Sequence, residues 1–150
     1  MNKEKAQKVL WRNRWLSSIN ELTSYELQKK SWLDKTNTNP HWSFVEFMCS
    51  YFDDLAIDND YETPIRAEWI SKNEYEVIKI WHKKLNSYKS PKNNDYDVEA
   101  ILNDKLWQAI VTEGQITKNL LSQIIDKDEV KTLNENIDYQ VINDRSKTKA

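Results

Sequence analysis

The feature that most limits the fold of this chain is its shortage of glycine, since Gly114 is the only one in 150 residues. A chain of this length normally contains about ten. The tight turns of β-hairpins favour glycine because they need positive φ angles, so the shortage argues against a hairpin-rich β fold. It also excludes the glycine-rich loops that hold nucleotide phosphates and the nucleophile elbow of hydrolases. The chain is therefore expected to be helical.

Apolar residues recur at helical spacing along most of the chain. The clearest register covers residues 44–55, where they fall at i, i+3, i+4, i+7, i+8 and i+11. Comparable patterns cover residues 3–19, 22–33, 71–88, 97–113 and 117–125. We predict an all-α fold, a single-domain bundle of about six helices over residues 1–142, followed by a flexible tail over residues 143–150.

Two helix starts carry local sequence signals. Ser71 and Glu74 have the spacing of a capping box, in which each residue binds the other's backbone N–H. Asn39 is a candidate N-cap, with Pro40 at the first helical position, where its missing N–H costs nothing. These signals predict helices that begin at residues 40 and 72.

Helix ends and short connections are also predicted from single residues. Gly114 is expected to end a helix as its C′ residue, after an N-cap at Asp95 or Asp97. Thr117 is then expected to cap the last helix. Residues 65–70 alternate weakly and are compatible with a short strand or an extended entry to the next helix.

The charge of the chain is unevenly distributed. Residues 43–65 contain six acids and no Lys or Arg, a charge of −6. The remaining 18 acids and 22 bases give +4, and the whole chain carries −2. One segment therefore holds the entire negative excess.

This acidic segment suits docking against a basic protein surface. Complementary charges steer encounter, and neighbouring aromatic rings can serve as desolvated anchors. The alternative is an ordinary solvated loop whose aromatic residues belong to the core. The candidate partner-binding residues are Asp53, Asp54, Asp58, Asp60, Glu62, Tyr51, Tyr61 and Trp69.

The same segment does not have the pattern of a calcium loop. If Asp58 and Asp60 began such a loop, glycine would be needed at its sixth position and glutamate at its twelfth. Thr63 and Trp69 occupy these positions. Two histidines and one cysteine are too few for a typical zinc site, and no nucleophile–base pattern stands out. We expect no metal, no cofactor and no enzymatic activity.

Cellular location is indicated by what the sequence lacks. Cys49 is the only cysteine, which favours a reducing compartment. The N-terminus lacks the apolar core of a signal peptide, and no apolar run is long enough to span a membrane. These observations favour the cytoplasm and no membrane contact.

A second function remains open. The first helix is basic, with Lys5, Lys8, Arg12 and Arg14, so the chain could be a helical regulatory or adaptor module that binds protein or nucleic acid there. Such residues more often form the solvated face of an amphipathic helix. The net charge of −2 does not favour direct nucleic-acid binding.

Three stretches resemble the small helical immunity proteins of contact-dependent growth-inhibition and related polymorphic toxin systems. They are "NPHWSFVEFMCSYFDDL" (39–55), "WISKNEYEVIKIWHKKLNSY" (69–88) and "ILNDKLWQAIV" (101–111). The aromatic–acidic helix end around Tyr51, Phe52 and Asp53 is similar to that group. The resemblance covers roughly residues 39–111.

The resemblance implies a protein that binds and neutralises a cognate toxin domain in the cytosol, stoichiometrically and without catalysis. Many such toxins are nucleases, including EndoU-type RNases. The active sites of nucleases are basic because they bind phosphates, so an acidic immunity surface can cover them. The charge of −6 over residues 43–65 agrees with such a partner.

Overall fold

A computed structural model describes residues 2–140 of the chain, which form eight α-helices and one 3₁₀ turn. The all-α prediction is confirmed, and no strand occurs within this part of the chain. The number exceeds the six expected because the short helices Glu62–Arg66 and Lys127–Leu133 were not predicted. The predicted tail at 143–150 lies outside the described residues. The helices are α1 Lys3–Leu22, α2 Tyr25–Trp32, α3 Phe44–Phe52, α4 Glu62–Arg66, α5 Lys72–Ser87, α6 Val98–Asn103, α7 Lys105–Ser122 and α8 Lys127–Leu133, with the 3₁₀ turn at Pro91–Asn93.

Helices α1 and α7 form the centre of the packing. α1 contacts α2, α3, α7 and α8, and α7 also contacts α5, α6 and α8. One continuous hydrophobic core fills the space between them. Its largest side chains with less than 2% exposure include Trp15, Trp81 and Trp107. Large aromatic residues thus supply much of the burial that holds the short helices in place.

The start of α3 differs from the prediction. The helix begins at Phe44, because Ser43 Oγ accepts a hydrogen bond from the Glu46 N–H at 3.1 Å and acts as N-cap. The carboxamide of Asn39 instead accepts from the His41 N–H, and these residues form an irregular turn. The predicted cap at Asn39 and helical Pro40 are therefore wrong. The capping box of Ser71 and Glu74 at the start of α5 is confirmed.

Gly114 does not end a helix. It lies inside α7, which continues to Ser122, so the predicted C′ glycine and the N-cap at Thr117 are both wrong. A Cβ at position 114 would lie 2.6 Å from Thr23 Cγ2 and 2.7 Å from Trp81 Nε1. Glycine is required because residues distant in sequence pack too closely here for any side chain. The break in this region comes earlier, at Asp104, which caps α7.

Residues 65–70 are neither a strand nor extended. Their first part belongs to α4, and a turn with Glu68 at φ 61° follows. The Asp58 carboxylate accepts a hydrogen bond from the Glu62 N–H at 2.8 Å and so stabilises the start of this helix. Pro64 is tolerated because the first helical turn leaves its N–H groups without helical partners.

Candidate functional site

The acidic loop, residues 53–62, connects α3 to α4. All five of its carboxylates are exposed: Asp53, Asp54, Asp58, Asp60 and Glu62. Between them, Leu55 is 1% exposed and Ile57 is 6% exposed. The apolar residues fix the loop to the core while the acids face solvent, so the predicted acids share one surface segment.

The backbone of the acidic loop turns sharply at two residues. Ala56 and Tyr61 have φ angles of 52° and 55°, in the left-handed region. The Ile57 N–H donates to the carbonyl of Phe52, which closes the turn after α3. Non-glycine residues in this region cost some free energy, so the surrounding contacts must hold them there. Several such contacts lie below the loop.

A chain of buried hydrogen bonds ties the acidic loop to the core. Trp15 Nε1–H donates to Tyr61 Oη at 3.0 Å, and Tyr61 is hydrogen-bonded to Tyr51 Oη. Tyr51 Oη is 2.9 Å from His82 Nδ1, and His82 Nε2 is 2.8 Å from the carbonyl oxygen of Asp58. Side chains of α1, α3 and α5 therefore meet below the backbone of the loop.

The end groups set the direction of every bond in this chain. An indole N–H only donates and a carbonyl oxygen only accepts. His82 must therefore donate from Nε2 to Asp58, which leaves Nδ1 to accept from the Tyr51 hydroxyl. Tyr51 accepts in turn from Tyr61, and Tyr61 from Trp15. The arrangement requires neutral His82 in one tautomer, assigned here from its partners.

Burial keeps the side chains of this hydrogen-bond chain uncharged. It raises the pKa values of both Tyr51 and Tyr61 well above the usual tyrosine value. Burial also lowers the pKa of His82 below 6.5, although the Asp58 carbonyl and the charges of Asp58 and Asp60 oppose the shift. These hydrogen-bonded side chains act as a structural anchor at neutral pH, because none of them is ionised.

Tyr51 and Tyr61 cannot serve as surface anchors in this structure. Both are 0% exposed, so the prediction that they contact a partner directly does not fit their position. Their role is to support the loop from below. The helical register of α3 already allowed a core position for Tyr51, but no local signal marked Tyr61, an aromatic residue among acids. Trp69 is half-buried, and its ring centroid lies 5.4 Å from that of Trp11.

In the described part of the chain, few bases neutralise the acidic loop. Glu62 pairs with Arg66 along α4, and Asp60 lies 4.0 Å from Lys83. Both pairs are exposed, where ion pairs contribute little. Within residues 2–140, neither Asp53 nor Asp54 has an ion-pair partner within 4.0 Å.

The position of Asp53 and Asp54 is unfavourable for the helix they follow. They lie at the C-terminal end of α3, where the helix dipole is negative. Acids at this end typically cost a helix about 0.3–1 kcal/mol. Helix stability therefore does not explain their presence.

The basic face of α1 is smaller than its sequence indicates. Arg12 turns inward and donates to both carboxylate oxygens of Glu74, at 2.9 and 2.7 Å, and to those of Glu129. Burial lowers its pKa, but these two carboxylates outweigh the effect and raise it above the usual arginine value. Lys5, Lys8 and Arg14 remain exposed on this helix.

Neither histidine forms a nucleophile–base pair with Cys49. His41 Nε2 lies 2.7 Å from Glu21 Oε2, and His82 is engaged by Tyr51 and Asp58. Burial, with a further contribution from Asp53, raises the pKa of the half-buried Cys49 thiol. A raised pKa keeps the sulfur in its less nucleophilic thiol form.

His41 also borders a cleft of about 520 Å³ between α1 and α3, which Glu21, Ser50 and Asp54 line as well. Burial lowers the pKa of His41, but its bond to Glu21 and the charges of Glu21, Glu46 and Asp54 outweigh this and raise it above 6.5. This pair joins the segment before α3 to α1.

No three His, Cys, Asp or Glu side chains are arranged to hold a metal ion in residues 2–140. No helix in that range is both long and apolar enough to cross a membrane.

Comparisons with protein-family models, with curated proteins and with solved structures found no match.

Proposed function

We propose that this protein is an immunity protein, which binds a cognate bacterial toxin domain stoichiometrically and neutralises it without catalysis. The acidic loop is the surface that meets the toxin, and a basic nuclease, of the EndoU type among others, is the partner its charge suits. The proposal places the protein in the cytoplasm, in agreement with its single cysteine.

The observation that carries the proposal is the exposure of Asp53 and Asp54 at the negative end of α3. These charges oppose the helix dipole and are not neutralised by ion pairs within residues 2–140. The buried hydrogen bonds hold the loop backbone at Asp58 and Tyr61, so the segment that carries the carboxylates is ordered before binding. Pre-organised charge lowers the ordering cost of association and raises its rate.

The test is co-expression of the protein with a basic toxin domain encoded beside it, with growth rescue as the first readout. Association rates of the purified pair are then measured from low to high salt. The double variant Asp53→Asn, Asp54→Asn is compared with Glu26→Gln, Glu99→Gln, which removes the same charge at exposed sites outside the loop.

We expect the wild-type association rate to fall about tenfold or more with added salt, since screening weakens electrostatic steering. The loop variant should bind more slowly and depend less on salt, whereas the control should match the wild type. Equal behaviour of the two variants would contradict the assignment of the acidic loop. Absence of rescue and of binding would contradict the immunity function itself.

The adaptor alternative is separated by a mobility-shift assay with mixed single- and double-stranded nucleic acids at low salt. We expect no shift, because Arg12 points inward and the predicted basic face is reduced to the exposed Lys5, Lys8 and Arg14. A shift abolished by Lys5→Gln and Lys8→Gln would favour the alternative.

A further inference from the structure

A second recessed surface lies beside the acidic loop. The Trp69 cleft is an opening of about 850 Å³ bordered by α1, by residues 68–71 and by residues 124–132. Its volume is within the range of protein clefts that hold ligands. A smaller cleft of about 490 Å³ shares Lys8, Glu68 and Trp69 with it and extends along residues 66–69, immediately after α4. Together they run from the end of the acidic segment to α8.

The lining of the Trp69 cleft contains exposed apolar surface. Val9 is 49% exposed and Ile124 is 44% exposed, and both border the cleft. Trp69 and Ile125 are half-buried in the same lining. Single exposed aliphatic residues are common, but here they come from separate segments and meet at one recess. An apolar side chain of a partner could bury itself against them.

Charges in the lining are predominantly negative. Arg12, Glu74 and Glu129 form one hydrogen-bonded cluster with a sum of −1. Beyond this cluster, Glu68, Asp126 and Asp128 stand against Lys8, which adds −2. The cleft therefore carries −3, and an occupant with positive charges complements it.

The cluster around Arg12 also fixes the walls. Arg12 donates to the carbonyl oxygen of Trp69 at 2.8 Å, while Glu74 belongs to α5 and Glu129 to α8. One side chain thus joins three walls of the cleft. A recess that is held open before binding requires less ordering when an occupant enters.

We propose that the Trp69 cleft docks a segment of the partner protein that carries an aliphatic side chain flanked by arginine or lysine. The aliphatic group packs against Val9, Trp69 and Ile124, and the cations face Glu68, Asp126 and Asp128. The identity of the partner as a toxin rests on the proposed function. The chemistry of the occupant rests on the cleft alone, so the two can be tested separately.

The experiment is an NMR titration of the ¹⁵N-labelled protein at physiological ionic strength. The probe is a short amphipathic peptide with leucine at every third or fourth position and arginine elsewhere, and a matched peptide carries glutamate in place of arginine. The test variant is Val9→Ser, Ile124→Ser. Its control is Leu10→Ser, Leu120→Ser, which removes two aliphatic residues of similar exposure, 52% and 47%. Leu10 follows Val9 on α1 and Leu120 lies in the last turn of α7, and neither lines the cleft.

We expect the arginine peptide to shift the Trp69 indole signal and the amides of α8 saturably, and the glutamate peptide to shift neither. The test variant should weaken binding about tenfold, the usual effect of losing a buried anchor, and the control should not. Shifts confined to residues 53–62, equal weakening by both variants, or no saturable shift would overturn the proposal. If the wild-type protein binds the arginine peptide in this cleft but does not rescue growth from the toxin, only the identity of the partner as a toxin is overturned.

Discussion

The two histidines of the chain respond to pH in opposite directions. His82 uses both ring nitrogens in the buried hydrogen-bond chain: Nε2 donates to Asp58 and Nδ1 accepts from Tyr51. A second ring proton, on Nδ1, would point at the hydrogen of the Tyr51 hydroxyl and break this bond. Tyr51, Tyr61, Asp58 and Asp60 face it from the other elements, and Lys83 is its neighbour on α5. His41 gains from protonation because it meets Glu21.

These shifts fix the sign of each contribution to stability. The folded pKa of His82 lies below the ordinary value of 6.5, so its contribution is complete above pH 6.5 and is lost as pH falls towards the folded pKa. The folded pKa of His41 lies above 6.5, so its contribution is complete below pH 6.5 and is lost as pH rises through the folded pKa.

We predict that NMR titration of the ring nitrogens gives a midpoint above 6.5 for His41 and below 6.5 for His82, with neutral His82 protonated at Nε2. Urea unfolding of His41→Gln should then show stability that falls more steeply than in the wild type on acidification through this region. The opposing contribution of His41 is removed in that variant. A midpoint for His82 above 6.5 would contradict the assigned direction of the buried hydrogen bonds.

At the scale of elements, Gly114 allows α7 to pack closely against α5 and the C-terminal end of α1. Thr23 and Trp81, which a Cβ would meet, are each 1% exposed, and Trp81 Nε1 donates to the carbonyl of Ile110. Neither side chain can move without breaking other contacts. The close approach therefore depends on the missing side chain at this position.

We predict that Gly114→Ala destabilises the protein although alanine favours helices. The gain in helix propensity is about 1 kcal/mol, whereas overpacking a tight core costs about 1–3 kcal/mol and displaces rigid groups. Asn119→Ala, at an exposed position of α7, should instead be neutral or slightly stabilising. Chemical denaturation of the three proteins measures the difference, and an increase in stability for Gly114→Ala would contradict the packing described.

The elements that could be predicted were those set by local chemistry. The capping box of Ser71 and Glu74 needs only residues three positions apart, and the sequence therefore predicted the start of α5 correctly. Gly114 was misassigned because its reason lies in contacts with Thr23 and Trp81, distant in sequence. Likewise, asparagine followed by proline is a local pattern that favours a helix start, but Ser43 provides the actual cap.

At the scale of the whole molecule, Arg12 connects segments from the two ends of the described chain. It joins α1 to Glu74 on α5 and to Glu129, which is 117 positions later on α8. Burial raises the pKa of Glu74, but the hydrogen bond to Arg12 and that to the Ser71 backbone outweigh this and lower it. Glu74 therefore contributes stability that is present above pH 4.5 and lost as pH falls through its folded pKa.

We predict that Arg12→Met lowers the free energy of unfolding by about 3 kcal/mol, near the low end for removing one partner from a buried ion pair. The low end applies because the side chains of Arg12 and Glu129 remain 12% and 20% exposed. Arg14→Met, exposed on the same helix, should change stability by less than about 0.5 kcal/mol.

The pH dependence provides a second check on Arg12→Met. Without the guanidinium, Glu74 and Glu129 repel each other, and protonation of one of them relieves the repulsion. Mild acidification should therefore stabilise the variant, whereas the stability of the wild type should stay the same or fall. Unfolding measured between neutral pH and pH 5 distinguishes these outcomes. An unchanged pH profile would show that the two carboxylates do not interact through Arg12.

The candidate site was predictable in part. The exposure of Asp53, Asp54, Asp58, Asp60 and Glu62 follows from the cost of burying unpaired carboxylates, so sequence sufficed for them. The burial of Tyr61 depends on a hydrogen bond from Trp15, 46 positions away, and no local pattern reports it. The Trp69 cleft needs three separate segments and is visible only in the folded molecule.

The pairing of α1 with α8 has a consequence for how the chain is made. A ribosome adds about 5–20 residues per second, so Glu129 emerges roughly 6 to 23 s after Arg12. Throughout that interval the surface of α1 that α8 covers has no partner. The bundle can close there only after α8 has been synthesised, and the nascent chain is open to chaperones until then.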